Sequence, residues 1–295
     1  MHSCFYTDFF LRGNREFVIL RPSYCQLFKP EDVSHGYMKV VLFAGGLGTR
    51  ISEESHLKPK PMIEIGGKPI LWHIMKIYAS YGHTDFIVCC GYKGWIIKEY
   101  FSNYFLHHTD VTVDLKENQV EILRSQAEPF RVTLIDTGLE TMTAGRLKRV
   151  LPYVGDETFM LTYGDGVSDI NLNELLQFHR SHGKICTMTT IQPGSRFGIV
   201  RMDADGLVDQ FEEKPEESGT WINGGFFILE PAIVNYLRDE QIDDVMWERQ
   251  PLYDLARDRQ LCGYRYRGFW KCMDTMRDKE DLEKLWETNP LWKTW

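Results

Sequence analysis

Met38-Lys39-Val40-Val41-Leu42-Phe43-Ala44-Gly45-Gly46-Leu47-Gly48-Thr49-Arg50 is the stretch on which the reading of this chain turns. A short apolar run bounded by a glycine turn reads as a strand buried on both faces, so Lys39–Phe43 is expected to be one. Glycines follow at 45, 46 and 48. They admit backbone angles that a side chain blocks, and backbone N–H groups can then approach an anion closely. Arg50 adds a fixed cation suited to phosphate. The segment has no Gly-Lys-Ser/Thr, so it is not a Walker A loop, and it is not a G-x-G-x-x-G turn. Taken alone, a plain tight turn explains it as well as a phosphate cradle does.

Outward from this loop, strands and helices alternate. Ile70, Leu71, Ile74, Ile77, Tyr78 and Tyr81 recur at helical spacing and predict a helix over 70–81 that Gly82 ends. Asp85–Cys90 reads as a second buried strand and 94–105 as a second helix. Residues 111–115, 119–123 and 132–136 are strand-like, 145–151 is helical, and 158–162 is an apolar strand ending at Tyr163-Gly164-Asp165-Gly166. A helix over 172–182 with Gly183 as its stop precedes a strand at 185–191. Residues 197–202, 206–212 and 221–229 form a more antiparallel stretch, and 231–237, 248–257 and 277–287 are helical. Alternation of this kind implies an α/β fold, a mostly parallel sheet with helices on both faces. Such sheets bind ligands at the carboxyl ends of their strands, where both glycine-rich turns would lie.

The first 37 residues read differently. They mix aromatics, charges and two cysteines without period, and Met38 stands just before the first strand. We take 1–37 as an N-terminal extension and 38–295 as one domain.

The formal net charge of -8 argues against a nucleic-acid partner, which would need a basic surface. It leaves room for a basic pocket holding a small anion. No stretch reaches the roughly 18 apolar residues of a membrane span, and the start has no signal-peptide pattern. The seven cysteines are scattered with no CxxC pair, which suits a reducing cytoplasm. The histidines carry no ligand spacing. His73 reads as packed, and Trp286, Trp292 and Trp295 as packing or subunit interface.

Lys58-Pro59-Lys60-Pro61-Met62 changes the weight of the glycine loop. Prolines fix the backbone, and rigid backbone with lysines suits phosphate charge better than folding. With the Ala44–Arg50 loop, this segment resembles the signature of the sugar-1-phosphate nucleotidyltransferases. Residues 65–75, Cys89-Cys90-Gly91-Tyr92-Lys93-Gly94, Tyr163-Gly164-Asp165-Gly166-Val167 and Trp292-Lys293-Thr294-Trp295 are similar to the glucose-1-phosphate cytidylyltransferases among them. The resemblance runs from Met38 to Trp295.

It implies a Rossmann-like, doubly wound, mostly parallel sheet of the nucleotide-diphospho-sugar transferase type, with a smaller antiparallel β addition and C-terminal helices. It implies CTP and glucose 1-phosphate as substrates, CDP-glucose for dideoxysugar and lipopolysaccharide synthesis as product, and a homo-oligomer, hexameric where known. Ala44, Gly45, Gly46, Leu47, Gly48, Thr49 and Arg50, with Lys60, Thr141 and Arg146, would bind the nucleotide. Lys60 and Arg50 would be catalytic. Glu213, Lys214, Asn223 and Gly224 would bind the sugar phosphate, and Asp165 and Asp274 would hold Mg²⁺. Ala144 stands where the family pattern has a glycine. A uridylyl- or thymidylyltransferase, or an inactive regulatory relative, are the competing readings. The last predicts losses at metal or phosphate positions, and Asp165, Asp274, Lys60, Arg50 and Lys214 are all present.

Overall fold

In a computed structural model, residues 37–192, 199–202, 208–212, 220–238 and 240–295 are described. A seven-stranded sheet runs through the molecule. Its strands in chain order are β1 (Val40–Ala44), β2 (Asp85–Cys90), β3 (Arg131–Asp136), β4 (Phe159–Tyr163), β5 (Cys186–Ile191), β6 (Ile222–Leu229) and β7 (Leu261–Tyr266). Their spatial order is β7-β5-β6-β4-β1-β2-β3. Only β6 runs antiparallel to its neighbours, and every other pairing is parallel. The longer helices are α1 (Ile70–Ala79), α2 (Gly94–His107), α3 (Thr143–Val154), α4 (Leu172–His182), α5 (Gln250–Arg257) and α6 (Met276–Thr288), and a single helical turn covers Ser52–Ser55. Asn171 caps α4 with its side chain, and Gly183, at φ 62°, ends it as the sequence predicts.

The continuous apolar runs divide by strand alternation between two cores. Val40, Leu42 and Ala44 enter one, with Phe86, Val88, Met160 and Phe226 and with residues of α1, α2, α4 and α6. Val41 and Phe43 enter the other, with Ile87, Cys89, Leu161 and Phe227 and with α3 and α5. Burial on both faces is why these strands read as unbroken hydrophobic runs.

The antiparallel additions are small. A hairpin pairs Thr109–Asp114 with Gln119–Ser125, Ile199–Met202 pairs with Val208–Glu212, and Gly166–Ser168 pairs with Trp270–Cys272. The sequence marks neither β7 nor Trp270–Cys272 as a strand. β7 is an edge strand carrying Gly263 and Arg265, so it lacks the apolar run that marks its neighbours. Residues 231–237 prove to be a 3₁₀ helix over Pro231–Tyr236, and α5 begins at Gln250 rather than 248. Of the N-terminal extension, residues 1–36 lie outside the described residues.

The C-terminal tryptophans pack within the chain. Trp286, Trp292 and Trp295 surround His73 of α1 with ring centroids 4.8, 6.0 and 6.3 Å away. His73 is fully buried and neutral in form: its Nε2 lies 2.8 Å from the Ile65 carbonyl, and its Nδ1 accepts from Trp292 Nε1 at 3.4 Å. Burial holds its pKa down at about 4 against the pull of its backbone bonds. His83 is likewise lowered to about 4 by burial. An unfolded histidine titrates near 6.5. Between about pH 6.5 and 4 the unfolded chain therefore binds protons the native state refuses, and stability falls as pH drops through that window. The effect is on the order of 3 kcal/mol for each group once pH is below 4. Thermal melts at pH 7 and pH 5 should show a lower Tm at pH 5, with the difference reduced in His73→Gln. A Tm that does not move would contradict the burial of neutral histidine.

Candidate active site

β1 and β4 are parallel neighbours, with Phe43 opposite Tyr163, so the two glycine-rich turns leave the sheet side by side at its carboxyl edge. Between them lies a cavity of about 790 Å³. That is a size typical of small-molecule sites, which span roughly 300–1,000 Å³. It brings together Ala44, Gly45, Gly46, Leu47, Gly48, Thr49, Lys60, Thr141, Arg146, Asp165, Asn223 and Asp274, residues 230 positions apart at the extremes. Gly224 lies behind this wall, its carbonyl accepting from Trp270 Nε1 at 2.7 Å. Arg50 falls in the 3₁₀ turn Thr49–Ile51, and its side chain lies outside the described residues, as do Glu213 and Lys214.

Lys60 is the centre of charge. It starts the 3₁₀ turn Lys60–Met62, which Pro59 and Pro61 stiffen, and it is 8% exposed. Its Nζ lies 2.6 Å from Asp165 Oδ2 and 2.6 Å from Asp274 Oδ1. Burial alone would lower the ammonium pKa. The Asp165 charge and hydrogen bonds to both carboxylates outweigh it, so the pKa is raised and the lysine stays charged. Lys58, its partner in the motif, instead pairs with Glu64 at 2.9 Å on the surface. Asp165 and Asp274 are joined through the backbone as well, the Met273 N–H donating to the Asp165 carbonyl at 2.9 Å. Cys272 lines the same wall, and burial, then Asp274 and Asp165, push its thiol up to about 12.

Arg146 is buried, and its guanidinium donates to protein carbonyls. Nη1 reaches Cys90 at 3.3 Å and Gly138 at 2.8 Å, and Nη2 reaches Gly45 at 3.0 Å and Leu139 at 3.2 Å. Nη1 also donates to Thr137 Oγ1 at 2.7 Å. One side chain thus ties the glycine loop to the end of β2 and to the turn after β3. The Gly45 carbonyl also accepts from the Tyr92 N–H at 3.1 Å. At Gly164 an added Cβ would stand 2.8 Å from the Phe43 carbonyl, so only glycine lets the two turns lie this close.

The same cavity holds a polar network of which the sequence marks only Asn223 as a site residue. Glu248 accepts from the Tyr163 hydroxyl at 2.5 Å and from Thr143 Oγ1 at 2.9 Å. The Tyr163 hydroxyl accepts from Asn223 Nδ2 at 3.3 Å, and Asn223 Oδ1 accepts from the Gly225 N–H at 2.8 Å. Burial and the Glu248 charge hold the Tyr163 phenol protonated, far above its ordinary pKa. No local pattern marks Glu248, because the residues it meets are remote in sequence.

The sequence-family model described as Nucleotidyl transferase matches residues 39–262. Glucose-1-phosphate cytidylyltransferase of Salmonella typhi is 54% identical over 260 residues, which is 88% of this chain and 100% of that protein. The probable glucose-1-phosphate cytidylyltransferase of Bacillus subtilis (strain 168) is 45% identical over 259 residues, again 88% and 100%. The chain belongs to the glucose-1-phosphate cytidylyltransferases of the nucleotidyl transferase family. Among solved structures, HddC from Yersinia pseudotuberculosis superposes with a TM-score of 0.60 at 21% identity, covering 84% of this chain and 99% of that one. That likeness is one of fold: the same mostly parallel sheet with flanking helices. Enzymes of the nucleotidyl transferase family generally use a divalent metal. Among the described residues of this cytidylyltransferase relative, no helix is long and apolar enough to cross a membrane.

Proposed function

We propose that the chain transfers a cytidylyl group from CTP to α-D-glucose 1-phosphate, forming CDP-glucose and pyrophosphate. The observation that carries this reading is the Lys60 ammonium held between Asp165 and Asp274 beside the glycine loop, in a chain 54% identical to a curated glucose-1-phosphate cytidylyltransferase. In the reaction a sugar-phosphate oxygen forms a bond to the α-phosphorus of CTP, and the bond from that phosphorus to the pyrophosphate oxygen breaks. Two anions must be aligned and neutralised, and little covalent chemistry falls to the protein.

Each group has a part in this. The backbone from Ala44 to Thr49 cradles the phosphates, and Arg50 neutralises the leaving pyrophosphate. Lys60 stabilises the charge that develops at the α-phosphate. Thr141 lines the nucleotide side, and Arg146 holds the glycine loop in register for it. Asn223 and Gly224, with Glu213 and Lys214, take the sugar phosphate. The chemistry of Asp165 and Asp274 fits Mg²⁺: two carboxylates converge on one cation position, and Mg²⁺ takes one or two carboxylates together with phosphate oxygens and water. Bound there, Mg²⁺ would supply charge neutralisation at the phosphates. The enzyme works in the cytoplasm as a homo-oligomer, a hexamer by resemblance. Exposed Val113, Leu115 and Leu123 on the 109–125 hairpin support association between copies.

Pyrophosphate release measured with CTP, UTP, dTTP and GTP against glucose 1-phosphate tests the reading. CTP should exceed the others by at least about tenfold in kcat/KM, since a base pocket built on hydrogen bonds penalises the wrong edge. UTP or dTTP outrunning CTP would overturn the cytidylyl assignment.

A further inference from the structure

Helix α6 opens with a capping box. Thr275 Oγ1 accepts from the Asp278 N–H at 3.2 Å, and Asp278 Oδ2 accepts in return from the Thr275 N–H at 2.9 Å and from its hydroxyl at 2.8 Å. A capping box needs nothing more. Here the same oxygen also accepts from the N–H of Asp274 at 3.2 Å, one residue before the cap. Asp278 is 7% exposed, and its other oxygen faces Lys271 Nζ at 3.9 Å. Asp274 is thereby held from behind by its own N–H. The N–H of Met273, just before it, is bonded to the Asp165 carbonyl. In front, Asp274 Oδ1 meets Lys60, and Oδ2 accepts from Cys272 Sγ at 3.6 Å.

We propose that Asp278 is a positioning residue for the Asp165–Asp274 pair. Its buried carboxylate fixes the Asp274 backbone so that the two side chains converge on one cation. This rests on the reading of Asp274 as a metal ligand. Partners behind a metal ligand commonly govern affinity by about 10–100-fold. The competing role is that of a helix cap alone, and Thr275 separates the two. Thr275→Val removes the hydroxyl half of the box and leaves both N–H bonds to Asp278 possible.

The test is Mn²⁺ binding to the whole, nucleotide-free protein, followed by the electron paramagnetic resonance signal of the free ion, with thermal melts alongside. Asp278→Ala should weaken Mn²⁺ by at least about tenfold. Asp278→Asn, which keeps an acceptor oxygen, should weaken it less. Thr275→Val should lower Tm yet keep Mn²⁺ affinity within about twofold, because a cap residue acts on the helix rather than on the ligand. Asp274→Asn should lose affinity as much as Asp278→Ala or more. The proposal is overturned if Asp278→Ala and Asp278→Asn both bind Mn²⁺ as the wild type does while Asp274→Asn does not. It is overturned equally if Thr275→Val weakens binding as much as Asp278→Ala. Unchanged binding in Asp274→Asn would remove the metal reading, and this proposal with it.

Discussion

Asp165→Asn should lower turnover by at least about 10³-fold while leaving the fold in place, a loss of about 4 kcal/mol of transition-state stabilisation. The change is nearly isosteric, and the Asp165 carbonyl still accepts from the Met273 N–H. Strand β4, which ends two residues earlier at Tyr163, keeps its register with β1 and β6. What goes is charge. Lys60 loses one of its two carboxylates but keeps Asp274 at 2.6 Å, so the lysine is not stranded. The pair that would hold the cation is reduced to one carboxylate. Circular dichroism and Tm close to wild type, with pyrophosphate release near background, are the expected pattern. Full activity would refute the metal assignment. Loss of activity with loss of fold would place the residue in the architecture instead.

Gly45→Ala should disable the loop by a different route. A Cβ at position 45 would stand 2.5 Å from Arg146 Cζ. A flexible arginine would move aside at small cost, but this one is bonded to four carbonyls and a hydroxyl. Moving it breaks buried hydrogen bonds, and leaving it forces the loop away from β1. Overpacking of this kind costs about 1–3 kcal/mol. The melting temperature of the free protein should drop by several degrees, and the KM for CTP should rise about tenfold or more as the cradle loses its shape. Gly46→Ala is the control, because nothing lies within 4 Å of a Cβ there. Its free-state melting temperature should match wild type. Equal melting temperatures for the two variants would show that Arg146 does not hold the loop.

The fold was legible because β1, β2 and β4 are buried on both faces and so appear as unbroken apolar runs. The place of the site followed from the glycine turns after β1 and β4, which a parallel sheet must bring to one edge. The pairing of Lys60 with Asp165 and Asp274 was not legible from spacing, since the three residues come together only through the fold; resemblance alone linked them. The sequence marks Glu248 only as the first residue of the helix expected over 248–257. Its bonds to Tyr163 and Thr143 span 85 and 105 positions, and nothing local announces them. The resemblance puts Arg146 on the nucleotide, and the structure adds what no pattern could: its donors face carbonyls of the glycine loop, the end of β2 and the turn after β3. Asp278 looked like one acid among many on a charged helix until its bond to the Asp274 N–H could be seen.

The division of the sheet into two cores has a mechanical side. The turn of Lys60, through Met62, and α6, which follows Asp274, pack with α1 on one face, whereas α3, which carries Arg146 and follows Thr141, packs on the other. The glycine loop touches both: Gly45 rests against Arg146, and Gly48 lies beside Lys60 and Ser55. The cavity is therefore a seam, at the carboxyl edge of the sheet, between two half-shells packed on its opposite faces. Its width is set by how the half-shells sit on that edge, and packing changes deep in either one reach it.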